Sequence, residues 1–166
     1  AVPDERLDRL AKLSSSVSVV PTSIEFVDIA GLVRGASRGE GLGNKFLGHS
    51  REVDAIVQVL RCFDAPDVVH VEGTIDPKRD AETIATELML ADMESLERRH
   101  DAMTKRARGN DREAREALAL IEPVLVGLRA GVPARRIPLP PEKAALLPTL
   151  QLMTAKPLMY VSNVDE

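Results

Sequence analysis

The chain falls into two stretches by the spacing of its apolar positions. From Asp76 onward the residues Ala81, Ile84, Leu88, Ala91 and Ser95 step by three and four, and Leu96, Met103 and Ala107 continue the stripe. Asp76-Pro77 is a helix-start signal, and Gly109-Asn110-Asp111 reads as a turn whose aspartate can cap a second helix. Ala114, Ala117, Leu118, Ile121, Leu125 and Leu128 then form a returning stripe, with a kink or interruption expected at Pro123. This spacing predicts an antiparallel coiled-coil hairpin over roughly 76–131.

The other stretch is short and β-branched. Runs near 24–29, 55–62 and 157–162 read as strands, and their near-continuous apolar character suits a parallel sheet buried on both faces. Shorter helices are expected over roughly 4–13, 42–52 and 142–153, with a proline-rich connector over 131–141. Strand, glycine-rich loop, helix and strand make a βαβ unit, with the second strand a parallel neighbour of the first. The fold class is therefore α/β.

Composition narrows the chemistry. With 166 residues the chain can build one domain with a real core, with room for a smaller lobe beside it. A net charge of −4 argues against wholesale binding to a phosphate backbone, and sequence-specific DNA binding is not expected. Three Phe, one Tyr and no Trp leave almost nothing for base stacking. The single cysteine, Cys62, excludes an internal disulfide framework and reads as a small buried hydrophobe. No apolar run reaches membrane-spanning length and no secretory leader is recognisable, so a cytoplasmic protein without a membrane partner is expected. His49 and His100 lack partners at metal-ligand spacing.

The first strand run, Ile24–Ile29, delivers Asp28 and then Gly31 at its carboxyl end, where open α/β sheets bind ligands. Asp-x-x-Gly alone is a weak motif that also describes an ordinary turn. Gly35, Gly39, Gly41 and Gly43 come within a dozen residues after it, but not as a dinucleotide fingerprint, whose third glycine would come one position later. The continuation is more specific. The run FVDIAGLVRGASRGEGLGNKFLGHSREVDAIVQVLRCF resembles the third nucleotide-binding motif, and its sequel, of the YchF/Obg-like ATPases, in the Obg group of translation-factor-related P-loop NTPases. The resemblance extends through HVEGTIDPKRDAETIATELMLADMESLERR to the terminal TAKPLMYVSNVDE.

The resemblance implies a G-domain-like P-loop NTPase sheet, incomplete in these residues, with the helical hairpin inserted. It places a nucleotide-binding part at 1–75 and 141–166 and the inserted hairpin and connector at 76–140. It implies ATP as substrate and Mg²⁺ as cofactor, with Asp28 holding the metal through water and Gly31 sensing the γ-phosphate. Leu32 stands where a water-positioning glutamine is usual, and an aliphatic side chain cannot orient water. His70 is then the candidate for assisting a slow hydrolysis. Asn163, Val164 and Glu166 occupy the base-reading positions: glutamate in place of aspartate weakens guanine recognition, and the Val164 carbonyl can accept from adenine. The family also carries a P-loop and a C-terminal TGS domain. No Gly-x-x-x-x-Gly-Lys-Ser/Thr occurs in these residues, so tight nucleotide binding by them alone is not expected.

Two alternatives stand beside the ATPase. One is a GTPase. The other is a non-catalytic module binding protein or RNA through the hairpin, whose Lys105, Arg106, Arg108, Arg112 and Arg115 gather near the turn and could meet phosphates. The ribosome, or ribosomal RNA, is the partner the resemblance implies.

Overall fold

The computed structural model describes residues 1–28, 48, 50–64 and 74–165. Helix α1 (Glu5–Leu13) starts where the Asp4 carboxylate accepts from the Arg6 backbone N–H at 3.0 Å, and it buries none of its residues. Strand β1 (Ile56–Arg61) comes after it in the chain, and then the two long helices, α2 (Pro77–Arg108) and α3 (Arg112–Arg129).

The hairpin forms as the apolar stripes predict, and its ends are fixed by local chemistry. Asp76 caps α2 by accepting from the Arg79 N–H at 3.0 Å, with Pro77 in the first turn. Asp111 caps α3 by accepting from the Ala114 N–H at 3.1 Å. Between the helices Asn110 adopts φ 66°, a left-handed conformation that its short polar side chain tolerates. At 32 residues and the usual 1.5 Å rise per residue, α2 is roughly 48 Å long.

Pro123 lies inside α3, which runs through it without the interruption the sequence leads one to expect. A proline removes the N–H that would have served the carbonyl four residues earlier. That carbonyl belongs to Ala119, and the Lys143 ammonium donates to it at 2.8 Å.

The main core lies between the hairpin and the chain that crosses it afterwards. Leu96, Leu120, Ile121, Val124, Leu125 and Leu128 meet Ala134, Leu150 and Leu152, all essentially excluded from solvent. The crossing chain is a 3₁₀ turn (Ala134–Arg136), a short helix α4 (Pro141–Ala144) and two further 3₁₀ turns (Leu147–Leu150 and Met153–Ala155). The helix expected over 142–153 is thus broken into pieces. Pro148 sits in its middle and denies a backbone donor, and Gln151 takes a left-handed φ of 54°.

Strand β2 (Leu158–Asn163) pairs in parallel with β1, from Ile56 opposite Leu158 to Arg61 opposite Asn163. The Ile56 N–H donates to the Pro157 carbonyl at 3.0 Å at one end, and the Cys62 N–H to the Asn163 carbonyl at 2.8 Å at the other. A smaller cluster of Leu88, Ala91 and Met153, with Ile56 and Ile84, joins α2 to this sheet.

The strand expected at 24–29 is not formed over its described residues. Residues 24–28 carry no strand pairing, and Ile24, Phe26 and Val27 are 63%, 80% and 50% exposed. Nor does this run lie beside β1 in a ladder, as expected; among the described residues the neighbour of β1 is β2. A β-branched run without a strand to satisfy its N–H and C=O groups gains nothing from pleating. Of the helix expected at 42–52, residues 48 and 50–52 are described and are helical.

Candidate functional site

Parallel strands deliver their chemistry at their carboxyl ends. Here that edge is made by Arg61, Cys62 and Phe63 after β1 and by Asn163 and Val164 at the end of β2. Arg61 folds back on its own strand end. Its Nε donates to the Phe63 carbonyl at 3.1 Å, and its guanidinium lies 4.9 Å from the centre of the Phe63 ring. The Asn163 main chain is fixed to β1 by the Cys62 bond, and Val164 is 64% exposed beyond it. The last β-ladder bond therefore sits directly at the positions singled out for base reading.

Asp28 ends the extended segment on the other side of the sequence and is exposed. Among the described residues no hydrogen bond or ion pair joins it to Asn163 or Val164. Gly31, Leu32, His70 and Glu166 lie outside the described residues. The described residues hold no cluster of three or more His, Cys, Asp or Glu able to bind a metal. They also include no helix long and apolar enough to cross a membrane.

The amino end of the sheet is held by polar contacts that sequence reading missed. Asp92, on α2, is 1% exposed. Its Oδ1 accepts from the Met153 N–H at 3.0 Å, and its Oδ2 accepts from the Thr154 N–H at 2.8 Å and the Thr154 hydroxyl at 2.7 Å. The carboxylate thus caps the 3₁₀ turn that leads into β2, from a different helix. Burial pushes the Asp92 carboxyl up, and the bonds from Thr154 and Met153 pull against that shift. Thr154 Oγ1 also accepts from the Ala134 N–H at 3.2 Å, drawing the connector into the same joint.

Lys156 stands two residues further on. Its ammonium donates to the backbone carbonyls of Ser50 at 3.0 Å and Arg51 at 2.6 Å, and to that of Val53. Burial pushes the ammonium down, opposed by the neighbouring Asp54 and Asp92 carboxylates. A signal for Asp92 existed: a carboxylate four residues after Leu88, within the apolar stripe of α2, points inward by helical spacing. Nothing in the sequence marks the three carbonyls that converge on Lys156.

The basic turn of the hairpin is partly neutralised from within. Arg106 pairs with Asp111 at 2.7 Å, Arg112 pairs with Glu116 at 2.8 Å, and Arg115 donates to the Asn110 side chain. The Asp111 carboxyl is held below its usual range, first by the Ala114 N–H it caps and then by Arg106. Lys105, Arg108 and Arg115 are exposed cations of the group with no carboxylate partner among the described residues.

Comparison with known proteins adds to this geometry. No protein-family model matches the chain. Over 165 residues, 99% of the chain, it is 49% identical to a Haemophilus influenzae protein named ribosome-binding ATPase YchF, and covers 46% of that protein. The Bacillus subtilis protein of the same name is 46% identical over the same share of the chain, which covers 45% of it. The solved structure of the Schizosaccharomyces pombe YchF GTPase superposes with a TM-score of 0.79 at 41% identity, over 100% of this chain and 46% of that one. The chain is homologous to YchF proteins over nearly its whole length. It spans about half the length of the YchF proteins it matches. Its α/β architecture, with a short parallel sheet and long helices, is that of the YchF structure over the shared region.

Proposed function

We propose that this chain supplies the base-reading side and the helical hairpin of an ATP-binding, slowly ATP-hydrolysing P-loop NTPase that works at the ribosome in the cytoplasm. The observation that carries the reading is the match of nearly the whole chain to proteins named ribosome-binding ATPase, at up to 49% identity. The exposed carboxyl edge, where Asn163 and Val164 end a parallel strand, is the place such folds present to a nucleotide. In this reading 1–75 with 141–166 form the nucleotide-binding part, and 76–140 form the inserted hairpin and connector.

The residues present fit a magnesium nucleotide. Asp28 is an exposed carboxylate, the hard oxygen donor that Mg²⁺ prefers, and would hold the ion through water. Bound there, the ion would neutralise charge on the phosphates. Gly31 would allow close backbone approach to the γ-phosphate, and the Val164 carbonyl would accept from the adenine amino group. Leu32 cannot orient water, so His70 is the residue assigned to assist hydrolysis, at a slow rate until the ribosome engages.

A second reading, GTP in place of ATP, rests on the Schizosaccharomyces pombe structure described as a GTPase. Nucleotide titration separates the two, in a chimera where this chain replaces the matched segment of the Haemophilus influenzae protein. ATP preference supports the first reading, and its reversal by Glu166→Asp supports the role given to that glutamate.

A further inference from the structure

An ammonium has three N–H donors and no acceptor. All three donors of Lys156 are spent on main-chain carbonyls of one short segment, those of Ser50, Arg51 and Val53. Residues 50–52 are helical, so these acceptors are the unserved carbonyls of a helical end, where a cation is also favoured by the helix dipole. Val53 precedes β1 by three residues, and Lys156 precedes β2 by two. The side chain therefore ties together the segments that lead into β1 and β2.

That location matters because the sheet is small and, among the described residues, its packing against α2 runs through the cluster of Leu88, Ala91 and Met153 with Ile56 and Ile84. Among the described residues the sheet has two strands, and two strands alone are marginal in water. Val57, Val59, Met159, Tyr160 and Val161 are all between 39% and 64% exposed, so burial at these positions does little to forbid a slip, which is opposed on the other face of β1 by Ile56 and Gln58. On the far side of Lys156, Asp92 holds Met153 and Thr154 against α2, so the chain entering β2 is itself tied to the hairpin.

We propose that Lys156 is a positioning residue that sets the register of β1 on β2, and thereby the placement of Asn163 and Val164 at the carboxyl edge. A slip of one residue would turn every β2 side chain to the opposite face and shift the end of the strand by about 3.3 Å. The consequence for nucleotide recognition rests on the function proposed above. The register claim does not, and its test uses no nucleotide.

Two measurements on the 166-residue chain decide it. In nitrogen-15 NMR of the unsubstituted chain, the Lys156 ammonium protons are expected to exchange with water far more slowly than those of exposed Lys105. Equal rates would overturn the proposal. In Lys156→Met, the cross-strand proton contacts of the Val59/Val161 pair are expected to weaken or be joined by contacts of a shifted pairing. The Ile56 amide should exchange about tenfold faster, while the Ile121 amide in the hairpin core keeps its rate. Unchanged Ile56 exchange with a single native pairing would overturn the proposal, as would a parallel loss of protection at Ile56 and Ile121.

Discussion

Asp92 Oδ2 accepts two hydrogen bonds from Thr154, one from its backbone N–H at 2.8 Å and one from its hydroxyl at 2.7 Å. With the Met153 N–H on Oδ1, one buried carboxylate serves three donors sixty-one and sixty-two residues away in sequence. Removing it would strand those donors away from water. Asp92→Ala is therefore expected to cost about 3 kcal/mol of stability, the upper end for an unsatisfied buried site. Urea unfolding followed by circular dichroism measures it. Asp92→Asn should recover only part of the loss, because its amide NH₂ faces donors.

The same carboxylate gives a pH dependence of definite sign. Burial raises the folded-state pKa of Asp92 above its ordinary value of 3.8, so in that window the folded chain binds more protons than the unfolded one. Stability contributed at this site then falls as pH rises from about 3.8 through the raised folded value. The stability difference between the unsubstituted chain and Asp92→Asn should shrink across that window as pH increases. Paired urea titrations at stepped pH read this directly; a difference that widens with pH would contradict it.

Lys143 and Pro123 should behave as a coupled pair. The Lys143 ammonium serves the Ala119 carbonyl that Pro123 leaves without an intrahelical donor. Lys143→Met is expected to cost about 0.5–1 kcal/mol in the presence of Pro123, as befits one exposed hydrogen bond. In a Pro123→Ala background the Ala119 carbonyl regains a helical partner, and the same substitution should cost almost nothing. A double-mutant cycle in thermal unfolding checks the coupling.

Gly127 is a helix-interior glycine where the helix-propensity gain of alanine is opposed by a close neighbour. A Cβ built there would stand 2.4 Å from Ile137 Cδ1 and 2.6 Å from its Cγ1. The gain in helix propensity, about 1 kcal/mol, is opposed by an overpacking cost of about 1–3 kcal/mol. Gly127→Ala alone is expected to be neutral or destabilising, and Gly127→Ala with Ile137→Ala should be more stable than Ile137→Ala alone. Calorimetric melting of the four chains checks this.

The hairpin was legible in the sequence because it is specified locally. Asp76-Pro77, the stripe through Leu88 and Leu96, and Asp111 after Gly109-Asn110 each act within a few residues, and the structure places the helix ends within a residue or two of those signals. The sheet was legible only in part. The β2 run and the β1 run were identifiable by composition, but the contacts that hold their entering segments, from Asp92 to Met153 and Thr154 and from Lys156 to Ser50, Arg51 and Val53, span 61 to 106 residues. The run ending at Asp28 has strand composition without strand structure in its described residues, because a strand exists only with a partner. Of the candidate site, Asn163 and Val164 fall at the carboxyl edge as their sequence position suggests. The charge run at the hairpin turn was legible as composition, whereas its pairing with Asp111 and Glu116 shows only in the structure.

Calorimetric titration of Mg-ATP and Mg-GTP, into the chimera carrying this chain within the Haemophilus influenzae YchF protein, is the most direct test of the proposed nucleotide site. Tighter binding of ATP than of GTP is expected, weakening by about tenfold or more on Asp28→Ala and shifting toward GTP on Glu166→Asp, since each discriminating hydrogen bond is worth about 1 kcal/mol or more. Binding of neither nucleotide, or ATP binding indifferent to both substitutions, would contradict the proposal.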